Sequence, residues 1–164
     1  MADFSLSHET PDGPPMGLTP ILVVDNAHAA IDFYTAAFGA KEIARVKALD
    51  GRKLMHARVE VCGSILVLMD DFPELEFSIG RSRTPQAVGG SPVTLHLQVE
   101  DASFLWEQAL RAGASVVIPL QEVFWGELYG RLRDPFGHEW TVAQQLRKLS
   151  AVEVERAAVA SMKH

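Results

Sequence analysis

Two segments in the first half of this chain align with two segments in its second half. Residues 18–25 (LTPILVVD) align with residues 93–100 (VTLHLQVE) at an offset of 75 (94 − 19). Residues 63–69 (GSILVLM) align with residues 137–143 (GHEWTVA) at an offset of 74 (137 − 63), so the second copy is one residue shorter between its two segments. A unit of about fifty residues that occurs only twice does not build a solenoid, which stacks more and shorter repeats. The repeat therefore predicts two half-sheets that close around a shared cavity.

The composition predicts one globular domain whose partner is a small molecule or another protein. The 164 residues are 48% hydrophobic and 22% charged, which suffices for one ordinary core. The 15 basic and 21 acidic residues give a net charge of −6, and lysine and arginine are scattered without a basic stripe. We therefore expect neither nucleic acid nor a membrane as a partner. Cys62 is the only cysteine, so no internal disulfide forms and a reducing, cytoplasmic location is expected.

The local sequence pattern predicts the same order of elements in both copies. In each copy, a strand leads into a helix that a glycine ends, Gly39 in the first and Gly113 in the second. Three further strands follow, and a Gly63-Ser64 hairpin signal joins the last two strands of the first copy. Asp70 ends the first copy and is expected to lie in solvent. Each copy is therefore predicted to be a βαβββ unit.

The chain is expected to contain one domain flanked by two short segments. Proline and glycine in the N-terminal segment predict a flexible lead-in, and a capping-box sequence at Ser150 predicts a C-terminal helix. The predicted boundaries are a lead-in at 1–17, a single domain at 18–145 with module one at 18–71, a linker at 72–91 and module two at 92–145, and a C-terminal helix at 146–164.

Short motifs give the chain a likeness to a known superfamily. The twice-used βαβββ unit, with residues 31–34 (IDFY) before residues 38–40 (FGA) and residues 134–137 (DPFG) before the last strand, resembles the vicinal-oxygen-chelate superfamily. Its members are glyoxalases, bleomycin-resistance proteins and extradiol dioxygenases. The likeness covers residues 18–145. It implies an α+β fold in which the two modules form a cupped eight-stranded mixed sheet, and it implies a homodimer.

Within that superfamily the chain resembles the PhnB-like branch. The segments that carry this likeness are residues 55–57 (MHA), residues 124–126 (FWG) and residues 134–138 (DPFGH). A likeness at this level implies the fold, whereas function depends on the residues of the site.

The superfamily's metal positions carry unsuitable residues in this chain. Its metal enzymes draw one ligand from the first strand and one from the last strand of each module, and these positions fall on Thr19, Val67, Thr94 and Thr141. Divalent transition metals are held by imidazole, thiolate or carboxylate groups. We therefore expect no metal and no other cofactor, with the threonine hydroxyls available to hydrogen-bond a ligand. Metal-free members of the superfamily include drug-sequestering proteins and enzymes that move protons with side chains alone.

Strand alternation predicts which side chains line the cavity. If Thr94 and Thr141 face inward, then His96, Gln98 and Glu139 also do, because residues two apart share a face. Treating the first and last strands of the module as antiparallel neighbours places His96 opposite Glu139. The equivalent positions of module one are apolar, which predicts a cleft with one polar and one apolar wall, suited to an amphipathic ligand.

The predicted pair of His96 and Glu139 allows three interpretations. The carboxylate could orient the imidazole as a general base. The pair could instead be a satisfied polar contact in a cleft wall without chemistry. As a third alternative, the two residues could hold a divalent metal displaced from the superfamily's usual site.

Aromatic residues cluster before and within the third strand of module two. Trp125 and Tyr129 lie close to Arg131 in the sequence and could stack on a flat organic ligand, or Trp125 could instead fill the core. Trp106 and Trp140 have the spacing of core residues and are expected to be buried.

Two functions are favoured by these residues, and a third option is a structural or interaction protein, which would require side chains to fill the cavity. The first is a metal-independent binding protein of the bleomycin-resistance type that holds a small amphipathic molecule between the modules. The alternative is a glyoxalase-like lyase or isomerase in which His96 is the general base and Glu139 orients it. The predicted ligand-binding residues are Thr19, Thr94, Gln98, Trp125, Tyr129, Arg131 and Thr141.

Overall fold

The computed structural model describes residues 17–75 and 81–162, and both modules lie within them. The predicted lead-in at 1–17 lies outside these residues except for its last position. Module one contains β1 (Ile21–Val24), α1 (Ala27–Phe38), β2 (Lys41–Lys47), β3 (Leu54–Val61) and β4 (Ser64–Asp70). A short helix, α2 (Pro85–Val88), interrupts the connection between the modules. Module two contains β5 (Thr94–Gln98), α3 (Ala102–Ala112), β6 (Ser115–Glu122), β7 (Glu127–Arg133) and β8 (Glu139–Gln145), and α4 (Ala151–Ser161) follows it.

Each module forms a four-stranded mixed sheet, which confirms the predicted α+β fold with two βαβββ units. The strand orders are β1-β4-β3-β2 and β5-β8-β7-β6, so the eight strands form two separately hydrogen-bonded sheets. The first and last strands of each module pair in parallel, and the other neighbours pair antiparallel. The expected antiparallel pairing of β5 with β8 is therefore wrong. The helix crossover returns the chain so that the next strand runs in the direction of the first, and the two hairpins that follow reverse the chain twice.

The strand register confirms the repeat found in the sequence. Ile21 pairs with Val67 in module one, and His96 pairs with Thr141 in module two. These two pairs are related by the offsets 75 (96 − 21) and 74 (141 − 67). The repeat therefore identifies which residue of one module is structurally equivalent to which residue of the other.

Asp70 is buried, so the prediction that it lies in solvent is wrong. The residue is 3% exposed, and its carboxylate accepts hydrogen bonds from the backbone N–H of Ala27 at 2.9 Å and of Leu54 at 2.6 Å. The first of these bonds satisfies an N–H at the start of α1 that has no partner within the helix. Gln144 makes the equivalent bond in module two, where its side-chain oxygen accepts from Ala102 N at 3.1 Å.

One hydrophobic core spans both modules. α1 and α3 pack against one another, and the core-facing sides of both sheets cover them. Trp106 and Trp140 are 8% and 2% exposed, which confirms their predicted burial. Gly130 lies beneath Trp106, where a β-carbon would come within 2.5 Å of the indole ring, so no larger residue fits without a shift. None of the helices in the described residues is long and apolar enough to cross a membrane.

A buried carboxylate connects the two modules. Asp134 is 4% exposed and accepts hydrogen bonds from the Tyr34 hydroxyl at 2.6 Å and from Trp140 Nε1 at 2.9 Å. Its other oxygen accepts from the backbone N–H of Phe136 and of His138, both at 2.9 Å. Burial raises the pKa of Tyr34 well above its usual value, and the charge of Asp134 raises it further. The DPFG motif therefore ties module two to helix α1 of module one.

The hairpin of module one turns one residue earlier than predicted. Ser64 is the first residue of β4, and the turn residues are Cys62 and Gly63. Both have positive φ, 48° and 80°, as a two-residue hairpin with the right-handed strand twist requires. Module two replaces this turn with the longer segment 134–138, which closes with a backbone bond from Asp134 N to His138 O.

Candidate functional site

The side of the module-two sheet that faces away from the core carries most of the predicted site residues. Leu97, Leu132, Trp140 and Val142 point into the core, so the alternate residues of β5, β7 and β8 point to the other side, which we call the open face. The register arranges the open face in three rows across these strands. The rows are Thr94, Glu139 and Arg133; His96, Thr141 and Arg131; and Gln98, Ala143 and Tyr129.

His96 bonds to Thr141 and Gln98, so the predicted contact with Glu139 is wrong. Because β5 and β8 are parallel, His96 lies beside Thr141, and Glu139 lies beside Thr94. His96 Nδ1 is 2.8 Å from Thr141 Oγ1, and Nε2 is 3.1 Å from the Gln98 side-chain amide. When the nitrogen of the Gln98 amide faces the imidazole, this nitrogen donates to His96 Nε2, and the amide oxygen accepts from Gln145 N. Both ring nitrogens are therefore engaged by neutral groups.

Glu139 is held by two arginines. Its side chain is 13% exposed and accepts from Arg133 Nη2 at 2.8 Å and, at the longer distance of 3.5 Å, from Arg131 Nη1. Arg131 Nε is buried and has no hydrogen-bond partner within residues 17–75 and 81–162. Glu139 is thus the acidic centre of an ion-pair cluster.

A cleft of about 640 Å³ lies where the two modules meet. Module one contributes the approach to β1 and the turn between β3 and β4, and module two contributes the edge strand β5. The lining residues are Leu18, Thr19, Pro20, Val61, Cys62, Gly63, Ser64, Ile65, Leu66, Leu95, His96, Leu97, Gln98 and Trp140. Thr19, His96 and Gln98 thus lie together in this lining. Thr94, Glu139, Thr141, Tyr129 and Arg131 lie on the adjoining open face and outside the lining.

The two modules differ at one equivalent position beside the cleft. His138 Nε2 reaches across to module one and donates to Val23 O at 3.0 Å. The repeat makes Ser64 equivalent to His138 (138 − 74) and Gln98 equivalent to Val23 (23 + 75). Ser64 and Gln98 both line the cleft. The short serine side chain leaves open, on one side, the space that an imidazole closes on the other.

An aromatic cluster borders the open face. Trp125 contacts Phe124 and Tyr129 edge to face, with ring centroids 4.8 Å and 5.5 Å away. Trp125 Nε1 donates to Glu127 Oε2 at 2.7 Å. The Trp125 and Tyr129 side chains are half-buried, so this cluster belongs to the surface beside the open face and not to the core. His56, whose orientation the sequence left open, lies on the corresponding face of module one, because the alternate residues Ala57 and Val59 are buried.

Two groups of site residues were missed by sequence reasoning. Arg133 lies two residues from Arg131 on the same strand, so alternation held the signal that both arginines share the open face. Ser64 lines the cleft, and its alignment with His138 held the signal for the opening there. Cys62 also lines the cleft, and burial raises the pKa of its thiol, which keeps the thiol protonated near neutral pH.

The superfamily's metal positions do not fit a divalent metal in this chain. Val67 has no donor atom, and the remaining positions offer only the hydroxyls of Thr19, Thr94 and Thr141. Among the residues placed by the structure, no group of three His, Cys, Asp or Glu side chains could hold a metal ion. The donor set therefore departs from that of the metal-dependent members.

Known proteins are similar to this chain in sequence. Residues 17–142 match the model of the Glyoxalase/Bleomycin resistance protein/Dioxygenase superfamily. The uncharacterized protein Mb0911c of Mycobacterium bovis is 46% identical over 140 residues, which cover 85% of this chain and 90% of that protein.

Solved structures of other proteins have a similar fold. The structure of an Arabidopsis thaliana gene product superposes with a TM-score of 0.60 at 29% identity, covering 79% of this chain and 99% of that one. The structure of a PhnB protein from Bacillus cereus superposes with a TM-score of 0.58 at 18% identity, covering 77% and 98%. The chain therefore belongs to the glyoxalase/bleomycin resistance protein/dioxygenase superfamily.

Proposed function

We propose that this protein binds a small amphipathic organic molecule in the cleft between its modules, without the metal of its catalytic relatives. The observation that carries this proposal is the mixed lining of the cleft. Leu18, Ile65 and Leu97 offer apolar surface, whereas His96 and Gln98 offer polar groups. Clefts with mostly apolar walls and a few placed polar groups are typical of small-molecule sites.

The surroundings of His96 support binding over proton transfer. A general base needs a free nitrogen for the substrate and gains basicity from a carboxylate on the other nitrogen. In this chain both nitrogens of His96 already have partners, Thr141 and Gln98, and neither partner is a carboxylate. Glu139, the predicted orienting group, is engaged by arginines instead. The lyase or isomerase alternative therefore has less support.

The proposal extends to a cytoplasmic homodimer that binds neither nucleic acid nor membranes. Its support is the net charge of −6, the single cysteine and the resemblance to the superfamily. Size-exclusion chromatography with light scattering tests the dimer, for which a mass of twice 18.0 kDa is expected.

Closing the cleft tests the binding proposal. We would titrate the protein with N-phenyl-1-naphthylamine, a neutral fluorescent amphipathic probe, and compare the wild type with Ser64→His. The new imidazole is expected to reach the Gln98 carbonyl as His138 reaches Val23, and so to fill the opening. We expect a saturable site in the wild type and at least a roughly tenfold loss of affinity in the variant, as loss of one good anchor gives.

The matched control is Ser103→His, the same substitution at an exposed position of α3 outside the cleft. It is expected to bind the probe as the wild type does. Equal binding by Ser64→His and Ser103→His would contradict the proposal.

A further inference from the structure

The open face carries one arginine, Arg131, that has more hydrogen-bond donors than the surrounding residues have acceptors for. Arg131 is in register with His96 and Thr141, and its side chain is 33% exposed. Its only ion-pair contact within the described residues is the 3.5 Å approach to Glu139, and Nε has no acceptor. A buried N–H without an acceptor is unfavourable, so the guanidinium gains by turning toward an acceptor from outside.

The cluster around Glu139 leaves one positive charge unmatched. Arg133 makes the shorter contact with Glu139, 2.8 Å, and so accounts for the carboxylate's charge. The positive charge of Arg131 is then left without a matching negative charge in this cluster. Glu127, on the same strand, lies four residues away, about 13 Å along an extended chain, and its carboxylate accepts from Trp125 Nε1. The surroundings of Arg131 therefore carry a net positive charge, which favours an anionic hydrogen-bond acceptor.

Arg131 lies on the open face, two strands away from the cleft residue His96. The buried side chains of Thr141 and Ala143 on β8 lie between, with His96 and Gln98 of β5 on one side and Arg131 and Tyr129 of β7 on the other. β5 and β7 are two strands apart, which places Arg131 about 10 Å from His96 across the sheet. A ligand body in the cleft could thus extend a polar group to Arg131.

We propose that the molecule held in the cleft is an organic anion whose carboxylate or sulfonate oxygens bind Arg131. This inference rests on the proposed function and adds the chemical class of the ligand. A guanidinium forms charge-assisted, often bidentate, bonds with such oxygens. Tyr129 lies two residues from Arg131 on the same face of β7 and contacts Trp125 edge to face, and these rings favour a flat, unsaturated ligand.

Two probes with the same aromatic body test the inference. 8-Anilino-1-naphthalenesulfonate carries a sulfonate, and N-phenyl-1-naphthylamine is the corresponding neutral molecule. In Arg131→Gln we expect the affinity for the sulfonate to fall by roughly 10- to 100-fold, the range of a lost charge-assisted bond, while the affinity for the neutral probe stays within about twofold. Arg131→Lys, which keeps the charge, is expected to retain an intermediate affinity for the sulfonate.

The control for net charge is Arg111→Gln on α3, whose side chain is 66% exposed and pairs only with Glu107 of the same helix in the described structure. It is expected to bind both probes as the wild type does. As a second measurement that needs no variant, the affinity of the wild type for the sulfonate is expected to fall as salt rises from 0.05 M to about 0.5 M, with little change for the neutral probe.

The outcomes separate the inference from the proposed function. If both probes bind at the cleft but the ratio of their affinities is the same in Arg131→Gln and the wild type, the anion preference is wrong and the binding function stands. If the neutral probe shows no site that Ser64→His closes, both proposals fail.

Discussion

Nδ1 of His96 lies 2.8 Å from the hydroxyl of Thr141, on the neighbouring parallel strand. The repeat makes this pair equivalent to Ile21 and Val67 of module one. One half of the molecule thus has a hydrogen-bonded polar pair where the other half has two aliphatic side chains. The two related βαβββ units therefore carry different chemistry at the same structural position.

Replacing His96 is expected to weaken ligand binding without abolishing it. His96→Ala removes a polar group from one side of the cleft, whereas the apolar residues of module one stay in place. We expect the affinity for N-phenyl-1-naphthylamine to fall by roughly three- to tenfold, the cost of about one contact. Fluorescence titration measures it. His96→Gln, which keeps hydrogen-bonding groups, is the control and should retain more affinity than the alanine variant.

Removing the buried carboxylate of Asp134 is expected to destabilise the fold strongly. Asp134→Ala leaves the Tyr34 hydroxyl, the Trp140 indole N–H and two backbone N–H groups without their acceptor. We expect the free energy of unfolding to fall by about 3–5 kcal/mol in urea denaturation. Asp32→Ala, at an exposed position of α1, is the control and should change it by no more than about 0.5 kcal/mol. Equal effects of the two variants would contradict the role of Asp134.

Tyr34 makes stability sensitive to alkaline pH. Its pKa is raised in the folded state, chiefly by burial, so the folded protein keeps the phenol proton more tightly than the unfolded chain does. The associated stability is present below the unfolded pKa, about 10, and is lost as pH rises above it. Denaturation at several pH values should show that the free energy of unfolding declines above about pH 10. The decline should be shallower in Tyr34→Phe than in the wild type. An identical decline in both proteins would show that Tyr34 is not responsible.

Added divalent metals are expected to leave the protein unchanged. The residues at the superfamily's metal positions, Thr19, Val67, Thr94 and Thr141, supply no imidazole or carboxylate. Thermal unfolding with nickel, zinc, manganese or iron(II) should give the same Tm as with a chelator, and elemental analysis should find no stoichiometric metal. A raised Tm that His96→Ala abolishes would instead indicate a displaced site at His96.

Much of the fold could be predicted from the sequence because each module depends on local signals. Alternating strands, a helix ended by Gly39 or Gly113 and the repeat itself determine the βαβββ order. The burial of Trp106 and Trp140 follows from the same periodicity. These features depend on spacing along the chain, which the sequence contains directly.

The pairing of His96 could not be predicted in the same way. Alternation identifies the face on which a side chain lies, but its neighbour depends on strand direction, which periodicity does not report. The assumption of antiparallel strands therefore placed Glu139 beside His96 instead of Thr141. Asp70 is a similar case, because its partner Ala27 N lies 43 residues away and becomes a neighbour only in the folded chain. The opening at Ser64 was visible in the repeat, once His138 was known to bridge the modules.

The most direct test of the account is to locate the bound probe. Backbone amide chemical shifts of the ¹⁵N-labelled protein would be followed during titration with N-phenyl-1-naphthylamine. The account predicts that the largest changes lie at Ser64, Ile65, His96 and Gln98, around the cleft between the modules. Changes centred on Leu49, Met55 and Phe72 instead, which line a separate apolar pocket of about 500 Å³ in module one, would contradict it.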